Sequence, residues 1–484
     1  MIKFNIVKSL YHSLFILMIS IIFLFLFPFN IVEISYGQSM TFETESETAV
    51  TSYIDALFKA PILISQALVV GVSFVHCFLF IHIIKKEPIV FNNNENFFLF
   101  GLFNNKLFVL IIIICGSIIL NMSVILFSFQ TSLLSLELGI DITYTFIILL
   151  SSSTGNIFII KLLTSAFTIA LAILYYYLNK RFYIKIFKLV QEKEQQGQQN
   201  SKLKLQIIKS SLIFSITLLI LGSINIFSNS IQSHNAAVDF IPYLAISVDW
   251  LHFMMVSIWI GGLFYISLTL SKKLFIKEKL YKHQVFKFPE DSITIQFFSA
   301  IILRFSIIAV ISIGIIFITG LYMGVLHLQQ PSSLFNSTYG NILIVKLLVV
   351  FSMAILGGYH HFRIHRLFNQ KIEKRLRNQL QNLKKFNNSL KIEYILGIGI
   401  IFISAFLTVT SPPQHESHNM NRMSMNPYGD SDIQKMTSVN NQKLDQFFSY
   451  VALLLSILIA TLMILFIKRS WTNLKLYNQE NELK

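Results

Sequence analysis

The sequence predicts an all-α fold, a polytopic bundle of transmembrane helices. Three observations predict it. Apolar residues come in runs close to the roughly 20 residues that a helix needs to cross a bilayer. Charged residues make up 13% of the 484 positions, against about 25% in soluble chains. The basic residues also fall in alternate loops, as the positive-inside rule requires.

Residues 1–37 carry Lys3 and Lys8, then an apolar run from Leu14 to Phe29, then polar residues around Gly37. This pattern is that of a signal peptide or signal anchor. The Glu- and Thr-rich residues 38–59 then face outside. Apolar segments follow at 60–84, 107–130, 157–178, 206–228, 247–271, 301–326, 341–361, 392–410 and 446–467. The stretch 142–152 is apolar but too short to cross alone, which suits a re-entrant or interfacial piece.

The loops fix the expected orientation. Loop 179–205 carries Lys180, Arg181, Lys185, Lys188, Lys193, Lys202 and Lys204, and loop 272–300 carries six lysines. Loop 362–391 is basic throughout, from Arg363 to Lys391. Loops 131–156, 229–246 and 327–340 hold no Lys or Arg. The basic loops and the C-terminus are therefore expected in the cytoplasm, with the mature N-terminus outside a cytoplasmic membrane. The net charge of +15 follows from this topology, so membrane lipid and not nucleic acid is the expected partner. Nothing between the spans is long enough for a soluble catalytic domain, and no enzyme is expected. The two cysteines, Cys77 and Cys115, lie inside apolar runs, so metal chemistry would have to use His, Met or carboxylates.

One box recurs. STGNIFIIKLL at 153–163 and TYGNILIVKLL at 338–348 align without gaps, Gly155 on Gly340 and Lys161 on Lys346. Four crossings separate them, and an even number preserves direction. The spacing predicts two parallel four-helix repeats, 60–228 and 247–410, followed by a loop at 411–445 and an extra C-terminal helix with its tail at 446–484.

Several residues carry candidate chemistry. Asp249, His252, Met255 and Trp259 follow at helical spacing and share one face of their helix. His252 lies about 8 Å beyond the helix start, and Lys161 and Lys346 about 9 Å inside theirs. Ionisable groups at depth face a partner or a cavity, and Asp249 is the obvious partner for Lys346 or Lys161. His and Met suit copper, thioether favouring the cuprous ion. The loop SPPQHESHNMNRMSMNPYGD at 411–430 adds His415, His418, Met420, Met423 and Met425, a composition suited to copper capture. A second tier of histidines, His76, His82, His360, His361 and His365, lies toward the cytoplasmic side, where His361 and His365 have chelating i, i+4 spacing. Three readings stay open: a metal path, a b-type haem or electron-transfer protein with His76 and one of His252, His360 or His361 as ligands, and a membrane scaffold with copper-linked assembly duties and no transport; for Asp249 and His252 the plainer reading is a hydrogen bond that joins two helices.

LHFMMVSIWIGGLF at 251–264, LRFSIIAVISIGIIFITGLYMGV at 303–325, TYGNILIVKLLVV at 338–350 and EYILGIGIIFISAFLTVTSPP at 393–413 resemble the CopD family of copper-resistance membrane proteins. The resemblance implies handling of copper at or across the cytoplasmic membrane. It places His252, Trp259, Gly261, Gly262, Arg304, Thr319, Gly320, Tyr339, Gly340, Lys346 and Glu393 on the family's matching positions. Related proteins can carry a β-sandwich copper-binding domain ahead of the membrane part. Residues 38–59 are too few for one, so a separate external copper carrier or the loop 411–430 is expected to load the metal. No phosphate-binding loop of the GxxxxGK[ST] type is present, so an ATP-driven pump is not expected.

Overall fold

A computed structural model of the protein describes residues 45–81, 106–191, 197–233, 242–282, 290–328, 332–368 and 376–410. The expected signal segment, the loop 411–445 and the C-terminal helix lie outside the described residues. Every element among them is helical. In chain order they are α1 (Glu45–Val75), continued by a π-helical turn (His76–Phe80), α2 (Lys106–Leu138), α3 (Ile142–Ser151), α4 (Ser153–Gln191), α5 (Gly197–Ile231), α6 (Pro242–Lys282), α7 (Glu290–Leu328), α8 (Ser333–Asn336), α9 (Thr338–Phe368) and α10 (Leu376–Leu407). All but α3 and α8 contain a stretch long and apolar enough to span a membrane, which makes eight spans. They coincide with the first eight apolar runs.

The helix ends follow from local chemistry. Pro242 opens α6, where its missing N–H costs nothing. Gly139 stops α2 with φ +65°, and Ile140 N–H donates back to Ser135 O at 3.3 Å, the pattern of a Schellman cap. Asp141 then caps α3 by accepting from Thr143 N–H at 3.0 Å. Hydrogen bonds from Thr143 hold the Asp141 carboxyl below the usual carboxylate range. α3 exposes Ile142, Tyr144, Phe146, Ile147 and Ile148.

Helices α1 and α6 form the centre. Each has 72% of its spanning window buried, whereas α9 has 11% and lies at the periphery. Around α1, contacts run α1–α2, α2–α4, α4–α5 and back to α1; around α6 they run α6–α7, α7–α9, α9–α10 and back to α6. The two groups of four join through α1–α6, α1–α10 and α5–α6. At the central crossing the backbones nearly touch. A Cβ on Gly71 would lie 2.6 Å from the Cα of Gly261, and one on Gly261 would lie 2.6 Å from Ala67 O. Small residues permit such an approach, and without a hydrophobic force between helices in lipid, close packing supplies the attraction. Gly262 serves the next interface, where an added Cβ would fall 2.8 Å from Phe305 Cζ and 2.9 Å from Val75 Cγ2. Trp259 is buried beside them. The Gly261-Gly262 pair is thus a packing device.

Candidate metal centre

Asp249 and His252 enter on the first turns of α6. The ring Nδ1 of His252 is 2.8 Å from Thr319 Oγ1 on α7. Thr319 donates its own hydroxyl proton to Ile315 O at 2.6 Å, so toward the imidazole it is the acceptor. Nδ1 therefore carries the hydrogen and Nε2 keeps its lone pair. Gly320 flanks the ring, its open side 3.5 Å from His252 Cε1 were a Cβ present.

Asp249 makes side-chain hydrogen bonds with Ser230 and Ser233 at the end of α5 and lies within electrostatic reach of Lys346 of α9. Lys346 also acts on His252, and Asp249 on Tyr339. The structure thus gathers Asp249, His252, Thr319, Tyr339 and Lys346 at one end of the α6–α7–α9 group. Asp249 is the countercharge of Lys346, as the sequence suggested.

Lys161 is held elsewhere. Buried on α4, it donates to Gln232 Oε1 at 3.0 Å and lies in the electrostatic field of Asp55 and Lys59 of α1. The two boxes start alike. Ser152 Oγ and Ser337 Oγ both donate to a carbonyl of the short helix before them, at 2.6 Å to Leu149 O and 2.6 Å to Ser333 O. Both accept from the glycine N–H three residues on, Gly155 at 3.4 Å and Gly340 at 3.0 Å. A side chain on Gly155 or Gly340 would collide with the backbone of that short helix, at Leu150 and Leu334. Beyond the start they diverge: α4 is joined to α1 and α5 by an amide network, with Asn225 Nδ2 donating to Thr164 Oγ1 at 2.7 Å and Gln66 bonded to Asn225 and Asn229.

Two other predicted sites come out differently. Met255 packs against the apolar cluster of Val70, Ile226 and Ile258, while His252, one turn earlier, turns to Thr319. The shared face of α6 is wide enough to meet several neighbours. His76 sits in the π-helical turn and is fully engaged: Nδ1 is 3.0 Å from Tyr265 Oη, Nε2 is 3.3 Å from Ser211 Oγ, and the ring stacks on Phe108 at 4.2 Å. With both nitrogens bonded, it offers no lone pair to haem iron or copper as folded. Glu393 of α10 is buried, its Oε1 beside Gly357 of α9, and Arg304 of α7 is half-buried. His360, His361 and His365 continue α9 beyond its spanning part. His82, His415, His418, Met420, Met423 and Met425 lie outside the described residues.

Sequence reasoning missed His327 at the end of α7. It is buried, with its ring 6.1 Å from that of Tyr339. Its position one residue beyond the assigned apolar run hid it. Among the described residues, no three His, Cys, Asp or Glu side chains group as a metal site.

Comparison with known proteins bears on this same region. Residues 299–407 match the CopD family, copper resistance protein D. The matched stretch contains Arg304, Thr319, Gly320, Tyr339, Gly340, Lys346 and Glu393, and stops short of the His252 helix. A copper transport protein of Bacillus subtilis strain 168, CutJ, is 28% identical over 190 residues, which cover 39% of this chain and 29% of the relative. The alignment therefore spans less than a third of the relative's length. No solved structure matches.

Proposed function

We propose that this protein takes up or transfers copper across the cytoplasmic membrane, serving copper resistance or homeostasis. The CopD match and the CutJ relative support a copper-related membrane function. One observation carries the finer reading: His252, inside a membrane helix, is held by Thr319 so that Nε2 keeps its lone pair. A neutral imidazole with one bare nitrogen is a copper ligand. Asp249 offsets the Lys346 ammonium beside it, which makes the end of the bundle tolerable to a further cation.

In this reading copper is the substrate. His415, His418, Met420, Met423 and Met425 of the 411–430 loop, or an external carrier, deliver it to the Asp249 end, which faces outside by the charge of the loops. The ion then moves inward by ligand exchange between the two groups of helices. The reading of those groups as parallel repeats is supported by their equal contact order and by the matched Ser152 and Ser337 caps.

Copper uptake into vesicles reconstituted with the purified protein tests the proposal. The wild type should load copper, His252→Ala should not, and both should reach the membrane in equal amounts. Full uptake by His252→Ala would refute the site.

A further inference from the structure

We infer that Met323 and His327 of α7 are the cuprous-ion ligands that accompany His252, in place of Met255. The inference rests on the copper reading above. Thr319, Met323 and His327 are spaced by four and share one face of α7. Thr319 places that face against His252 at 2.8 Å. Each step of four residues climbs about 6 Å, so Met323 stands one turn and His327 two turns further toward the end of the helix. The packing of α6 on α7 is antiparallel, registered by His252 on Thr319 and by Gly262 on Phe305. That register brings Met323 level with the turn that carries Asp249. His327, buried, meets Tyr339 of α9 with ring centroids 6.1 Å apart. One end of the stripe thus meets α6 at His252 and the other meets α9 at Tyr339.

The chemistry of the stripe suits one oxidation state. Among the described residues no cluster of three His, Cys, Asp or Glu exists to hold a divalent ion. Thioether is a soft donor that favours copper(I), and imidazole accepts copper beside it. Met255 is engaged by Val70, Ile226 and Ile258 instead, and the chain's cysteines are buried away in α1's π turn and α2. His327, Met323 and His252 then form steps about one helical turn apart, along which copper(I) passes from the end of the bundle to the Nε2 of His252.

The test uses the full chain with His415 and His418 changed to Ala and Met420, Met423 and Met425 changed to Leu, so that the loop contributes no signal. Copper(I) is added anaerobically, affinity is measured by competition with a chromophoric chelator, and X-ray absorption reads the ligand atoms. The expected result is sulfur together with imidazole nitrogen around copper. Met323→Leu should remove the sulfur and weaken binding by about tenfold or more. His327→Gln should weaken it as well, and Met255→Leu should change neither readout. Helical content by circular dichroism identifies a variant that has failed to fold, and the wild-type spectrum alone decides the sulfur. A copper site without sulfur, sulfur that survives Met323→Leu, or sulfur lost in Met255→Leu would each overturn the inference. If His252→Ala abolishes binding while Met323→Leu and His327→Gln bind as the wild type does, this inference falls and the His252 reading stands. If His252→Ala binds copper normally, the His252 reading itself falls and takes this one with it.

Discussion

Lys161 Nζ and Gln232 Oε1 are 3.0 Å apart, and that bond shares one turn of chain with another charge. Gln232 takes Lys161 of the first group of helices, while Ser230 and Ser233, on either side of it, take Asp249 of the second. The end of α5 thus holds Lys161 from one group and Asp249 from the other.

Gln232→Leu should therefore destabilise the protein by about 0.5–1.5 kcal/mol, the usual net worth of a single hydrogen bond. Lys161→Met in the same chain should recover most of the loss, because no buried ammonium then lacks its acceptor. Thermal unfolding in detergent of the two single variants and the double variant measures the coupling. Strict additivity would show that the pair does not interact.

The central crossing makes a second prediction. Gly261→Ala places a Cβ 2.6 Å from Ala67 O and 2.9 Å from Gly71 Cα, both backbone atoms that cannot swing aside. Overpacking of this kind costs about 1–3 kcal/mol. Gly324→Ala on α7 meets nothing within 4 Å and should leave stability unchanged. Equal melting temperatures for the two variants would contradict the close approach of α1 and α6.

The start of α3 should respond to acid. Asp141 has a folded pKa lowered by its Thr143 hydrogen bonds, so the unfolded turn binds a proton more readily than the folded one. Its stabilisation is present above the unfolded carboxylate pKa and is lost as pH falls through the lower folded value. Amide exchange at Thr143 and Tyr144, compared at matched intrinsic rates, should quicken in acid in the wild type. In Asp141→Ala it should be fast at every pH. Protection that ignores both the pH and the substitution would remove the cap.

The eight spans were legible because composition alone selects them: a bilayer demands long apolar runs, and only helices satisfy their backbone there. The helix ends were less so. α7 begins at Glu290 and α9 continues to Phe368, since polar residues extend a helix into water without any hydropathy signal. At the site, the Asp249–Lys346 countercharge followed from depth, and His252 from its cost in lipid. The partner of His252 did not, because Thr319 looks like any hydroxyl that bonds its own helix. The apolar neighbours of Met255 escaped notice for a related reason: spacing places two residues on one face, but the face of a buried helix meets several neighbours. Gln66, Asn225 and Asn229 escaped notice because uncharged amides barely disturb an apolar run, although together they tie three helices.

The orientation of His252 yields the last prediction. Thr319 Oγ1 has a single proton, and Ile315 O takes it at 2.6 Å. With that proton on Ile315 O the hydroxyl accepts from the imidazole, an arrangement that assigns the Nδ1–H tautomer to His252 and makes Nε2 the basic nitrogen. Thr319→Ser keeps an acceptor of the same kind and should keep this tautomer. Thr319→Val is nearly isosteric but accepts nothing, and it leaves the ring only its hydrogen bond with the Ile316 backbone. The tautomer balance should then move toward Nε2–H, which consumes the lone pair that a metal would need. Nitrogen-15 spectra of imidazole-labelled protein, with His252 assigned by its loss in His252→Ala, report the tautomer without any copper present. Copper(I) affinity should follow the tautomer, kept in Thr319→Ser and reduced about tenfold in Thr319→Val. An unchanged His252 signal in Thr319→Val would show that the hydroxyl does not set the ring. A changed signal with unchanged affinity would show that Nε2 is not the nitrogen that meets the ion.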